Sequence, residues 1–220
     1  MLCLGGFASG EDAPDARAIL KTVRIAQGSQ QEALTGRLRS GWKSIPFRLT
    51  MSTNTVRWEF SDPPQTLQLR LGEKDSQLEE ITGTGTAQKI APARFDEKVR
   101  ESDISYEDLA MRFLYWPNAV VEDQQTLLMN KCWVVRVEPR AKNESQYGMV
   151  KLWITATSGA LLQAEAFGHD GKLARRFKVI SGQSLGGGLW ILKQMRIEQM
   201  APGKGVDRTP SYLEIDKADK

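Results

Sequence analysis

At 220 residues, with 40% hydrophobic and 26% charged side chains, the chain has the composition of an ordinary globular protein and the length of one large domain. Its 30 basic and 27 acidic residues are interleaved, so the net charge of +3 excludes a polybasic track for nucleic acid. No apolar run approaches the length of a transmembrane helix.

Residues 1–10, MLCLGGFASG, are apolar and end in small residues, with Ala8 and Gly10 spaced like the last positions before a signal-peptidase cut. They read as a truncated signal peptide and predict export. Beyond this segment Cys132 is the remaining cysteine, so no intramolecular disulfide can form, and in KCWVVRV it reads as a small strand residue. A helix is expected from Asp12 or Pro14 to about Gly28, with Ile19, Leu20 and Val23 on one face.

The period then changes to two. Leu34, Gly36 and Leu38 alternate with polar neighbours, as do Phe47, Leu49 and Met51, then Val56, Trp58 and Phe60, and, after a turn at Ser61 to Pro64, Leu67, Leu69 and Leu71. Each run predicts a half-buried strand, and the short polar links predict an antiparallel meander rather than βαβ units.

The stretch from about Gly83 to Asn130 lacks a sustained strand period and reads as an excursion between two halves of one sheet. Within it lies DISYEDLAMRFLYWP, where Ser105 and Asp108 fit a capping box and Tyr106, Leu109, Ala110, Phe113 and Leu114 share one helical face before Pro117. The spacing predicts a helix over 103–116 with one apolar face. Strand patterning resumes with CWVVRVEP, GMVKLWITA, LLQAEAF, LARRFKVI, LWILKQMRIEQ and SYLEID. Hairpin-like links are expected near Gly159, at His169 to Gly171 and ending at Gly188, for about ten strands in all.

The chemistry-bearing residues are few. The single histidine, His169, falls on the turn signal Asp170-Gly171, so no zinc-type ligand cluster and no Ser-His-Asp triad assembles. The acidic pairs Glu79-Glu80 and Glu107-Asp108 fit a solvated face and a helix N-terminus, where negative charge is favoured. The glycines of TGTGT and LGGGL lack the lysine-serine pair of a phosphate cradle. No catalytic centre, metal or cofactor is expected. What remains is apolar: large side chains on strand inner faces and on the helix. They form either a packed core or a lumen that side chains fill incompletely.

The strings ISYEDLAMRFLYWP, CWVVRVEP, YGMVKLWIT, SGALLQAEAF, HDGKLARRFKV and GGLWILKQMRIE resemble the outer-membrane lipoprotein-sorting proteins, relatives of the LolA and LolB carriers, with compatible patterning from Ala13 to Asp216. The resemblance implies a mainly β, α+β fold: an unclosed, strongly curved antiparallel barrel with a helical lid or plug on its concave side, forming one domain over 11–220. It implies a non-enzymatic periplasmic carrier whose apolar interior holds acyl chains of a lipoprotein or lipid and which meets inner- and outer-membrane lipoprotein-sorting components. The helix over 103–116 is then the lid, and the cavity residues are Trp58, Phe60, Leu69, Leu109, Phe113, Trp116, Trp133, Val135, Leu152 and Ile154. The competing expectation is a periplasmic interaction module with a solidly packed barrel whose curved edge binds a protein.

Overall fold

The alternating runs become strands with their apolar residues on one side. The computed structural model describes residues 14–28, 33–72, 76–81, 83, 85–186, 189–201 and 205–216; the signal-peptide reading of residues 1–10 and the link ending at Gly188 lie outside them. Helix α1 (Ala16–Gly28) precedes a first series of hairpins: β1 (Ala33–Ser40), β2 (Lys43–Ser52), β3 (Thr55–Phe60), β4 (Gln65–Leu71), β5 (Ser76–Ile81) and β6 (Ala87–Lys89). A connecting segment holds helix α2 (Tyr106–Ala110) and single 3-10 turns at Pro92–Arg94 and Arg112–Tyr115. The second series is β7 (Asn118–Leu127), β8 (Asn130–Glu138), β9 (Met149–Thr155), β10 (Leu161–Phe167), β11 (Leu173–Gly186) and β12 (Leu189–Ala201), followed by β13 (Gly205–Val206) and β14 (Ser211–Ile215).

All fourteen strands belong to one sheet, in the order β6-β5-β4-β3-β2-β1-β14-β12-β11-β10-β9-β8-β7, with β13 beside β12. The sheet is antiparallel and unclosed, with β6 and β7 as its edges. Trp58 and Leu69 near one edge share a core cluster with Val135 and Leu152 near the other, which so wide a sheet achieves by curling around its apolar face. Helix α1 places Ala16, Leu20 and Val23 in the same core and packs against β2, β7, β12 and the turn Arg112–Tyr115.

Gly36 fixes the seam between the two series. A side chain there would meet the Glu214 carbonyl oxygen at 2.4 Å and the Phe47 ring at 2.7 Å, so the absence of a Cβ lets Phe47, its register partner on β2, lie across β1. On the opposite face Arg37 and Arg39 donate to the two carboxylate oxygens of Glu214, at 2.7 and 3.1 Å, and Thr35 Oγ1 donates to Asp216 at 3.0 Å.

The sheet has more strands than the patterning predicts because β5, β6, β7 and β13 are short or polar. The expected excursion therefore contains both edges of the sheet: β6 is exposed throughout, and β7 is mostly exposed, with only Ala119 and Val121 packed against the core. A register shift between Val121 and Asp123 further breaks the alternation of β7. The helix over 103–116 is also shorter than expected. The capping box forms, with Ser105 Oγ accepting from Asp108 N and Asp108 Oδ2 accepting from Ser105 N, both at 3.1 Å. Met111 then turns left-handed at φ 44° and ends α2 after five residues, and the chain re-enters a single 3-10 turn.

Candidate functional site

Residues 91–117 leave edge strand β6 and arrive at edge strand β7, so this strap spans the concave face from one edge of the sheet to the other. Among the described residues, every backbone-to-backbone hydrogen bond of the strap closes within it: Val99 N to Ile104 O at 2.8 Å, Tyr106 N to Glu97 O at 3.0 Å and Glu107 N to Phe95 O at 3.1 Å form its internal ladder. The strap is a self-contained unit laid on the sheet, not a further strand of it.

Its apolar side chains fill the interior. Leu109, Phe113 and Trp116 are buried in one cluster with Trp58, Phe60, Leu69, Val135, Leu152 and Ile154, and Trp133 packs against that cluster. The structure thus brings together all the residues that the sequence singles out for the cavity. Phe113 lies at the centre, its ring 5.6 Å from Phe177 of β11 and 6.5 Å from Trp116. With the strap in place the lumen is occupied by the protein's own side chains.

Polar side chains fasten the strap at several points. Asp103 accepts from Ser40 of β1 at 3.0 Å and from Lys98 at 2.7 Å. Arg100 donates to the carbonyls of Asp62 and Pro63 in the β3–β4 turn, and Arg24 of α1 donates to Leu114 O at 2.6 Å. The deepest fastening is at Asp108. Its Oδ1 accepts from Tyr147 at 2.5 Å, and Arg175 of β11 approaches Oδ2 at 3.4 Å while also donating to Asp103 O at 3.1 Å. Burial opposes the charge on Arg175, but Asp108 and Tyr147 outweigh it and hold the guanidinium above its ordinary pKa; burial pushes the Tyr147 hydroxyl well up.

Glu107, the neighbour of Asp108, is fully buried and less well served. Oε2 accepts from Gln146 N at 3.1 Å, whereas Oε1 makes no hydrogen bond and has Arg112 at 3.9 Å. Burial pushes the Glu107 carboxyl up to about 7, against the opposing pull of Ser145, Arg112 and Gln146. Glu107 and Asp108 thus occupy the first turn of α2 as expected but lie in the interior, while Glu79 of β5 is covered by Arg70, Gln68 and Gln77 and its neighbour Glu80 is half-buried. The sequence reading misses Glu107, Asp108, Tyr147 and Arg175 as a cluster. The available signal was their setting, because every residue of α2 is buried, and two acids in a helix enclosed on all sides need partners.

Two further positions stand where the sequence reading puts them, one in a turn and one in a strand. His169 is exposed in the β10–β11 turn, its Nε2 3.1 Å from Ser145 O, and Cys132 is buried within β8, where burial raises its thiol pKa. Among the described residues no helix is long and apolar enough to cross a membrane.

A family model described as "Uncharacterized protein" matches residues 68–217, more than half of the chain, including the strap and all of the second strand series. The chain belongs to that family. No curated protein matches it in sequence. The matched range includes the segment that crosses the sheet, and the fold has clear counterparts among solved structures. An outer membrane lipoprotein-sorting protein domain from Vibrio parahaemolyticus is 13% identical with a TM-score of 0.67, over 92% of this chain and 90% of that one. A LolA superfamily protein from Nitrosomonas europaea is 12% identical with a TM-score of 0.65, over 93% of both chains. A DUF1329 family protein from Desulfovibrio piger is 14% identical with a TM-score of 0.63, over 93% and 92%. The likeness to these structures is one of fold, an open, curved antiparallel β-sheet.

Proposed function

We propose that this protein is a periplasmic, non-enzymatic carrier that takes acyl chains of a lipoprotein or lipid into the space under the strap, with the strap as a displaceable plug. The observation that carries this reading is the strap's closed backbone hydrogen bonding: it can swing away as a unit without breaking a ladder of the sheet. Trp58, Phe60, Leu69, Trp133, Val135, Leu152 and Ile154 would then contact acyl chains in place of Leu109, Phe113 and Trp116. Exchange of one apolar surface for another leaves the hydrophobic balance nearly unchanged, so the polar fastenings at Asp108 and Asp103 set how readily the plug leaves. The lipoprotein-sorting name of one structural neighbour supports this substrate class, and delivering and receiving sorting components would be its partners.

The burial of the strap's apolar side chains, Phe95, Val99, Ile104, Leu109, Phe113 and Trp116 among them, also favours a second reading, a periplasmic interaction module with a packed interior. A fluorescent fatty-acyl probe separates the two. The carrier reading expects saturable uptake by the wild type, competition by unlabelled acyl lipid, and faster uptake by Asp108→Asn, whose fastening is weaker. If neither protein takes up the probe while both remain folded by circular dichroism, the interior is only a core and the module reading stands.

A further inference from the structure

The β7–β8 hairpin closes through a two-residue loop, Leu128-Met129, between the register partners Leu127 and Asn130. Both loop residues have left-handed backbone, with φ of 49° and 64°. A two-residue hairpin loop of that conformation suits Asn-Gly, and bulky L residues enter it at a conformational penalty. Both side chains also stand in solvent, 69% and 98% exposed. Leucine and methionine thus serve neither the turn nor the core here, and that combination of strain and apolar display points to a contact outside the chain.

The surroundings carry positive charge. From Gln124 to Val137 the hairpin contains no acidic residue, and Lys131 is exposed. Ala156 N donates to Lys131 O at 2.9 Å, which joins the tip of the hairpin to the uncharged β9–β10 turn. At that turn a Cβ on Gly159 would meet Thr22 at 2.4 Å, so the middle of α1 lies at this same end of the molecule. Residues 16–24 of α1 contain no acid, and Arg17 and Lys21 are exposed.

We propose that this end of the protein is a membrane contact, in which Leu128 and Met129 enter the interfacial layer of a bilayer and Lys131, Lys21 and Arg17 meet anionic headgroups. An apolar pocket on a protein could accept the same two side chains, but cations around an acid-free tip match a negatively charged lipid surface. The proposal does not rest on the carrier reading, since a lipid-docking tip is independent of what the interior holds.

Flotation of the full chain with vesicles of phosphatidylethanolamine and phosphatidylglycerol tests it, with phosphatidylcholine vesicles as the neutral counterpart. The wild type is expected to float with the anionic vesicles and less with the neutral ones, and the double variant Leu128→Asn, Met129→Gly to lose about tenfold or more of that partitioning. Because Asn-Gly suits the loop, the double variant is expected to melt no lower than the wild type, which separates lost binding from lost fold. Lys131→Glu is expected to weaken flotation on anionic vesicles. A wild type that does not float with anionic vesicles, or a double variant that floats as well as the wild type, overturns the proposal.

Discussion

The Tyr147 hydroxyl donates to Asp108 Oδ1 at 2.5 Å with both side chains buried, which ties the capping residue of α2 to the loop between β8 and β9. One carboxylate therefore closes the first turn of α2 through Oδ2 and anchors the strap through Oδ1.

Tyr147→Phe removes a donor to a buried charge and keeps the ring. It is expected to lower stability by about 1.5 to 3 kcal/mol in denaturant unfolding, the range for hydrogen bonds to charged groups. A change within a few tenths of a kcal/mol would show that Arg175 and the cap suffice to hold Asp108.

Glu107 gives stability a specific pH dependence. Its folded pKa, about 7, lies above the ordinary 4.5, so the fold favours the protonated acid. Its contribution is fully present below about 4.5 and is lost as pH rises through about 7. Glu107→Gln keeps an acceptor for Gln146 N without the charge. Relative to wild type it is expected to gain stability progressively between those limits, on the order of 3 kcal/mol above them, with no gain below about 4.5. Glu79, Asp103 and Glu214, whose ion pairs and hydrogen bonds hold them below their ordinary pKa values, lose stability at lower pH in both proteins and cancel in the difference. Parallel urea titrations across the window would expose a flat difference if Glu107 were paired more fully than its geometry indicates.

Phe113→Ala empties the centre of the strap packing between Phe177 and Trp116. The expected loss is about 3 to 5 kcal/mol by urea unfolding, the range for a large buried aromatic truncated to alanine. A loss near 1 kcal/mol would mean that the neighbouring rings close over the gap.

Gly36→Ala places a methyl group against the Glu214 carbonyl oxygen, a backbone atom that side-chain motion cannot clear. Destabilisation of about 1 to 3 kcal/mol is expected in thermal melts, because overpacking forces backbone shifts. An unchanged melting temperature would show that β1 and β14 separate slightly at little cost.

The parts of this fold that were legible in the sequence are those with one wet face and one dry face. β1 to β4 and most of the second series place alternate residues such as Leu34, Leu38, Trp58 and Val150 in the core, and their period survives as sequence. The cap at Ser105 is equally local, a serine and an acid three residues apart. The edges were hard to read because β6 is exposed throughout and β7 turns only Ala119 and Val121 toward the core before its register shift, which leaves too short an alternation. The interruption at Met111 was illegible because methionine carries no sign of left-handed backbone. Glu107 and Asp108 stand at the helix start as read, but their burial was illegible because an acid there has a sufficient local explanation, whereas Tyr147 and Arg175 reach Asp108 from 39 or more residues away. Trp58, Phe60, Leu69, Val135, Leu152 and Ile154, by contrast, are buried on the strand faces where their phase places them.

The strand order also sets an order of assembly. Strands β1 to β6 and β7 to β12 are two runs of sequence-local hairpins, each able to zip up with short loop closures, but the only strand between them is β14, which follows both in the chain. Contacts across that seam join residues up to 181 positions apart, as Thr35 and Asp216 are, so their entropy of closure is met only once both runs exist to receive the strand. During synthesis the two runs would emerge as separate curved sheets, each with an exposed inner edge, β1 on one and β12 on the other. The five residues of β14 then convert two half-structures into a single curved surface.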